Sequence, residues 1–174
     1  MTDTNLKGVG RGGAMVLAAT VASLGLTAPA VAQSANSSLP VSATVTANCT
    51  ITTSAVSFGS VNTLSGSNVD GTGGITVTCT NGTSWSASAG AGSGTGATLA
   101  SRRMTSGSNL LNYNLFTDAA RTSIWGNGTS STVALTGTGS GTAQNLTIYG
   151  RVASGQTSAP AGSYADTVSV TVSY

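Results

Sequence analysis

The sequence has no histidine, no glutamate and a single lysine, Lys7, and charged residues fill only 6% of its 174 positions. Each shortage excludes a chemistry. Catalysis by a serine nucleophile needs a histidine or lysine to take its proton, and beyond residue 32 neither exists. A phosphate-binding loop ends in Gly-Lys-Ser/Thr at the start of a helix; the many glycine-rich stretches contain no lysine, so they read as plain loops. Beyond residue 32 the charges are Arg102, Arg103, Arg121 and Arg151 against Asp70, Asp118 and Asp166. Nucleic acid recognition needs a basic face that displaces counterions from phosphate, and this set is too sparse to make one. Arg102-Arg103 reads as a small cluster on a solvated loop. Asp118 and Asp166 could flank a sugar ring as a hydrolytic carboxylate pair. Each sits beside a turn, however, where aspartate commonly accepts hydrogen bonds from nearby amides. No catalytic residue, no cofactor, no metal and no small-molecule substrate follow from the composition; the chain reads as a structural protein and not an enzyme.

Residues 1–32 combine Lys7 and Arg11, an uncharged run, and Ala30-Val31-Ala32, a small-x-small pattern before Gln33. This is the form of a secretory signal peptide. Its apolar part, residues 14–26, is shorter than the ~20 residues a membrane-spanning helix needs. Cleavage after Ala32 leaves about 140 residues, enough for one domain with a core. Cys49 and Cys79 are the only cysteines, and a chain addressed to an oxidising compartment is expected to join them. A disulfide closing a loop of that size stabilises a fold by roughly 3–4 kcal/mol. Two thiols without a histidine leave a zinc ion short of ligands.

The rest of the chain is rich in Gly, Ser, Thr, Ala and Val, with β-branched residues in alternation. Residues 33–38 are a polar lead-in. Leu39, Val41, Ala43, Val45 and Ala47 then alternate with Pro40, Ser42, Thr44, Thr46 and Asn48, the period-2 pattern of a strand with one apolar face. Pro40 has no amide hydrogen, so the useful strand starts at Val41. Further strands are predicted over 55–58, 74–80, 84–89, 110–117, 121–125, 131–136, 144–152 and 167–174, separated by turn residues such as Asn81-Gly82 and Asn127-Gly128. No segment has helical periodicity. Many short strands at regular spacing predict an all-β, immunoglobulin-like sandwich. Trp85 and Trp125 are predicted to pack in it; were they exposed, they could instead serve a monomeric carbohydrate-binding module. Five Asn-x-Ser/Thr triplets carry no function in so Ser/Thr-rich a chain.

Four blocks together resemble the spore coat protein U domain family, which includes the subunits of archaic chaperone–usher pili. They are Asn48-Cys49-Thr50, Ile75-Thr76-Val77-Thr78-Cys79, the run LNYNLFTDAART at 111–122, and GSYADTVSVTVSY at 162–174. The resemblance implies an incomplete immunoglobulin-like β-sandwich lacking one strand, completed by a donor strand from a neighbouring subunit. It also implies a division into signal peptide (1–32), N-terminal extension and donor strand (33–47) and sandwich domain (48–174). The donor side chains would be Val41, Ala43, Val45 and Ala47; Val168, Val170, Val172 and Tyr174 would edge the acceptor cleft. Expected partners are identical or related subunits, a periplasmic chaperone and an outer-membrane usher. The expected destination is the cell surface, as a pilus for attachment and biofilm formation or as a coat component. Two alanines in the donor and the limit set by Pro40 are departures that bear on how many pockets are filled.

Overall fold

The computed structural model describes residues 29–174. The predicted signal peptide lies mostly outside the described residues. The chain divides into two units, Met1–Ser42 and Ala43–Tyr174. In the first, the described residues 29–42 form no strand and are exposed.

The second unit is a sandwich of eight strands: β1 (Cys49–Ser57), β2 (Val69–Cys79), β3 (Ser84–Ala89), β4 (Arg102–Ser106), β5 (Asn109–Phe116), β6 (Leu135–Thr138), β7 (Gln144–Val152) and β8 (Val170–Ser173). One sheet has five strands in the order β1-β2-β7-β5-β4; the other has three, β6-β3-β8. All the named pairings are antiparallel. The core lies between the sheets, built from inward residues at period 2: Ile75, Val77 and Cys79 of β2, Trp85, Ala87 and Ala89 of β3, Leu111, Tyr113 and Leu115 of β5, and Ile148 and Val152 of β7. Cys49 and Cys79, directly opposite in the β1–β2 register, are joined by a disulfide.

β1 does not stay flat. Its register against β2 slips between Ser54 and Ser57, and such a bulge bends the strand that carries it. Glycines make room for the bend: a Cβ at Gly73 would run into Ala55 and Val56, and one at Gly150 into the side chains of Val56 and Phe58. The end of β1 therefore lies close over the inner face of β2 and β7, and Phe58 meets Tyr113 edge to face at 6.0 Å.

Several sequence expectations are corrected. Residues 121–125 and most of 131–136 form no strand, only isolated bridges such as Trp125↔Val133, because a short loop cinched by Asp118 occupies the first stretch. Arg102 and Arg103, read as a small cluster on a solvated loop, lie in β4, and Arg102 is wholly buried. Its guanidinium donates to the carbonyls of Gly90, Leu99, Ala89 and Trp125, the paired state that lets a cation sit inside a protein. Residues 41–47 form no strand in this chain: alternation gives them an apolar face, but no neighbouring strand supplies a ladder.

Candidate functional site

A five-stranded sheet facing a three-stranded one leaves part of its inner face uncovered. There the sandwich is open. A cavity of about 420 Å³ reaches the core side chains Ile75, Leu115, Trp125 and Ile148, between Thr53, Ala55 and Val56 of β1 on one side and Asp166, Val168 and Val170 on the other. A second cavity, about 870 Å³, continues past Phe58 to Val61 and Leu64 on one wall and Ala159 to Tyr164 on the other. Ala55, Val56, Phe58, Met104 and Tyr164 line both, so the two form one cleft, with an apolar floor and polar groups along its rim.

The strands bounding the cleft are each the last of their sheet. β1 pairs only with β2, and β8 only with β3. An unpaired edge above an open apolar floor is an invitation to another strand. β1 and β8 approach at one end, where the Tyr174 hydroxyl donates to Asn48 Oδ1 at 3.4 Å, and stand apart at the other, where the cavity opens. Of the predicted edge residues, Val168 and Val170 line the cavity, Val172 is half-buried and does not line it, and Tyr174 lies at the closed end and is 58% exposed.

The predicted donor residues are all uncovered. Val41 and Val45 are 87% and 83% exposed, and Ala43 and Ala47 are exposed as well. This segment and the cleft thus have complementary defects: apolar side chains without cover, and apolar cover without side chains.

Polar groups gather at the open end. The Asp166 carboxylate accepts from the Tyr113 hydroxyl (2.7 Å), from the Ser93 amide and hydroxyl (2.7 and 2.8 Å), and from the Thr167 amide (2.7 Å). Burial pushes this carboxyl up, but the four hydrogen bonds outweigh burial and hold it below the usual range. Burial, reinforced by the Asp166 charge, raises the Tyr113 phenol far above its ordinary value, so it remains a donor. Asp118 lies elsewhere, with backbone amides of Ser123 and Thr122 holding its pKa down. It closes the 118–123 loop and shares no site with Asp166. Asp70 accepts a two-pronged bond from Arg151 at 2.7 and 2.9 Å, which holds its carboxyl low, and Arg121 stands 3.3 Å from the same carboxylate. Each acid thus has structural partners of its own, in keeping with the turn reading of Asp118 and Asp166. Trp85 and Trp125, 4% and 2% exposed, are core residues whose ring N–H groups donate to Gln144 and to the Ala87 carbonyl, so they offer no platform to a sugar.

Fold and cleft define a class: an immunoglobulin-like β-sandwich lacking a strand. The Spore Coat Protein U domain model matches residues 35–171, and the chain belongs to that family. No curated protein matches it. Among solved structures it is similar to the CsuC–CsuE chaperone–tip adhesion subunit pre-assembly complex from the archaic chaperone–usher Csu pili of Acinetobacter baumannii. Identity there is 26% and the TM-score 0.54, over 75% of this chain and 40% of that one; the chain thus spans less than half the length of its structural relative.

Proposed function

We propose that this chain is a structural subunit of a surface pilus, exported through the periplasm with the help of a chaperone, released at an outer-membrane usher, and joined to its neighbours by donor-strand complementation. In this reading residues 1–32 are removed on export, residues 33–47 are the extension, and residues 48–174 are the sandwich. Val41, Ala43, Val45 and Ala47 of one copy enter the cleft of the next, along the edge marked by Val168, Val170, Val172 and Tyr174. Attachment and biofilm formation are the uses a fibre of this kind serves.

The observation that carries the reading is the open cleft itself, reaching core residues in a chain whose own alternating apolar segment lies uncovered. Strand addition completes both at once: backbone hydrogen bonds to the unpaired edge, side chains into the cleft. Each buried valine adds about 1.5–3 kcal/mol and each alanine less. The contact is head-to-tail and does not close on itself, so it propagates as a filament. The membership of the chaperone–usher complex to which the chain is similar supports a chaperone as partner.

The test is an unheated denaturing gel of protein recovered from cells expressing the neighbouring assembly genes, beside a heated lane and a chain lacking residues 33–47. A ladder that collapses only on heating and is absent from the shortened chain is expected. Monomer alone in every lane, from cells shown to export the protein, overturns the reading.

A further inference from the structure

The segment leading into β8 changes sheets. Ala165 exchanges both backbone hydrogen bonds with Thr105 of β4, at 2.9 and 3.0 Å, and so belongs to the five-stranded sheet. By Ser169, whose carbonyl accepts from the Gly90 amide at 2.9 Å, the chain has passed to the three-stranded sheet, where Val170 pairs with Ala89. Asp166 stands at this crossing, on the wall of the cleft. Its four bonds come from three places: the loop before β4 through Ser93, β5 through Tyr113, and its own crossing through Thr167. Gly92, with φ of 89°, is fitted against the carboxylate so closely that any Cβ there would collide with it.

We propose that Asp166 is a positioning residue for strand uptake: it pins the crossing segment 164–168 so that the upper lip of the cleft stays apart from β1 at the spacing an incoming strand requires. The proposal rests on the polymer reading above and adds to it the residue that keeps the acceptor open. Ala165 and Ser169 tether the two ends of the crossing to different sheets, the carboxylate ties its middle to the loop and to β5, and Tyr164 and Val168 pack in part against the core. Without it, the half-buried side chains of Tyr164 and Val168 are free to settle further over Ile75, Ile148 and Leu115, since burying apolar surface is favourable. A cleft closed in that way must be reopened before a strand can enter, and the apparent affinity falls by the fraction of molecules left open.

Asp118 provides an internal control. It too is a carboxylate held by backbone amides and a hydroxyl, those of Thr122 and Ser123, but it lines neither cavity. The experiment uses the full exported chain, a fluorescently labelled peptide of residues 39–47 as probe, and thermal unfolding of each variant alongside. Asp166→Asn keeps the shape and loses the charge and acceptor capacity; Gly92→Ala attacks the same contact from the other side; Ser93→Ala removes one donor residue and is the mildest. Peptide uptake is expected to fall about tenfold in Asp166→Asn and Gly92→Ala, the effect of losing one charged hydrogen bond, and by a smaller factor in Ser93→Ala. Asp118→Asn should lower the unfolding midpoint while leaving uptake within about twofold of the parent, as a cap remote from the cleft should. Parent-like uptake in Asp166→Asn, or in both Gly92→Ala and Ser93→Ala if the first does not fold, overturns the positioning role alone. A parent chain that takes up no peptide overturns the polymer reading and this proposal with it.

Discussion

Residues 41–47 and strand β7 carry the same kind of pattern and meet opposite fates. Both alternate apolar and polar residues. β7 lies between β2 and β5, paired along its length with β2 and over Tyr149–Arg151 with β5, with Ile148 and Val152 2% and 1% exposed. Residues 41–47 have no partner strand, and Val41 and Val45 stand in solvent. A period of two specifies a face; it does not supply the neighbour whose carbonyls and amides make that face part of a sheet. The difference between the two segments is the difference between a strand that stabilises its own chain and one that can stabilise another.

The comparison is broken most severely by one substitution in each. Val45→Asp should abolish subunit joining, because an unpaired carboxylate cannot enter an apolar cleft without a large desolvation cost, while leaving the unfolding midpoint of the monomer unchanged, as Val45 touches no core. Ile148→Ala should do the reverse in kind. It should cost the monomer about 2–5 kcal/mol, read as a lower urea midpoint, in a chain whose donor segment is intact. Pilus yield together with monomer unfolding distinguishes them. Loss of monomer stability in Val45→Asp would mean the segment already packs on its own chain.

Arg102 sharpens the same contrast from inside the sandwich. Replacing it with methionine leaves the carbonyls of Gly90, Leu99, Ala89 and Trp125 without their donor in a buried site. A cost of about 2–4 kcal/mol is expected, at the rate for orphaned buried acceptors, again in the urea midpoint. An unchanged midpoint would show that water or a neighbouring loop replaces the guanidinium.

How much of this could be read in the residues depends on whether the signal was local. β3 and β7 are found where alternation places them, and β7 has the bounds 144–152 in both. The disulfide followed from cysteine number and export. Arg102 was misread because its burial has no local mark: two adjacent arginines in a Gly/Ser-rich stretch look like a surface loop, and only the convergence of the end of β3 and two loops on one guanidinium makes the position internal. The 111–122 block was recognisable as a motif before its cause was visible. In the structure, Asp118 cinches the loop after β5, and Arg121, at φ 58°, turns back over Tyr149 toward Asp70 and the Gly150 carbonyl. The cleft was expected from resemblance alone; its opening at the Phe58–Tyr164 end depends on a bulge in β1 and on Gly73 and Gly150, whose spacing announces nothing until the strands are paired.

The smallest effect separates donor from acceptor by pH. Asp70, Asp118 and Asp166 all have carboxyls held below the usual value near 4 by hydrogen bonds from Arg151, from the Ser123 and Thr122 amides, and from Tyr113 and Ser93, against burial in the last case. A depressed folded pKa means the unfolded chain binds protons first on acidification, so stability falls as pH falls. The contribution is complete above the ordinary carboxylate pKa and is lost as pH drops through the depressed folded values. Residues 33–47 contain no titratable side chain, so the donor is indifferent over the same range. Urea midpoints of the monomer should therefore be flat from pH 7 to about 5 and decline below about 4. Asp166→Asn should have a shallower decline, and uptake of a labelled 39–47 peptide should weaken with the acceptor, in step with its stability. A midpoint that rises on acidification would place the acid-sensitive group somewhere other than these three carboxylates.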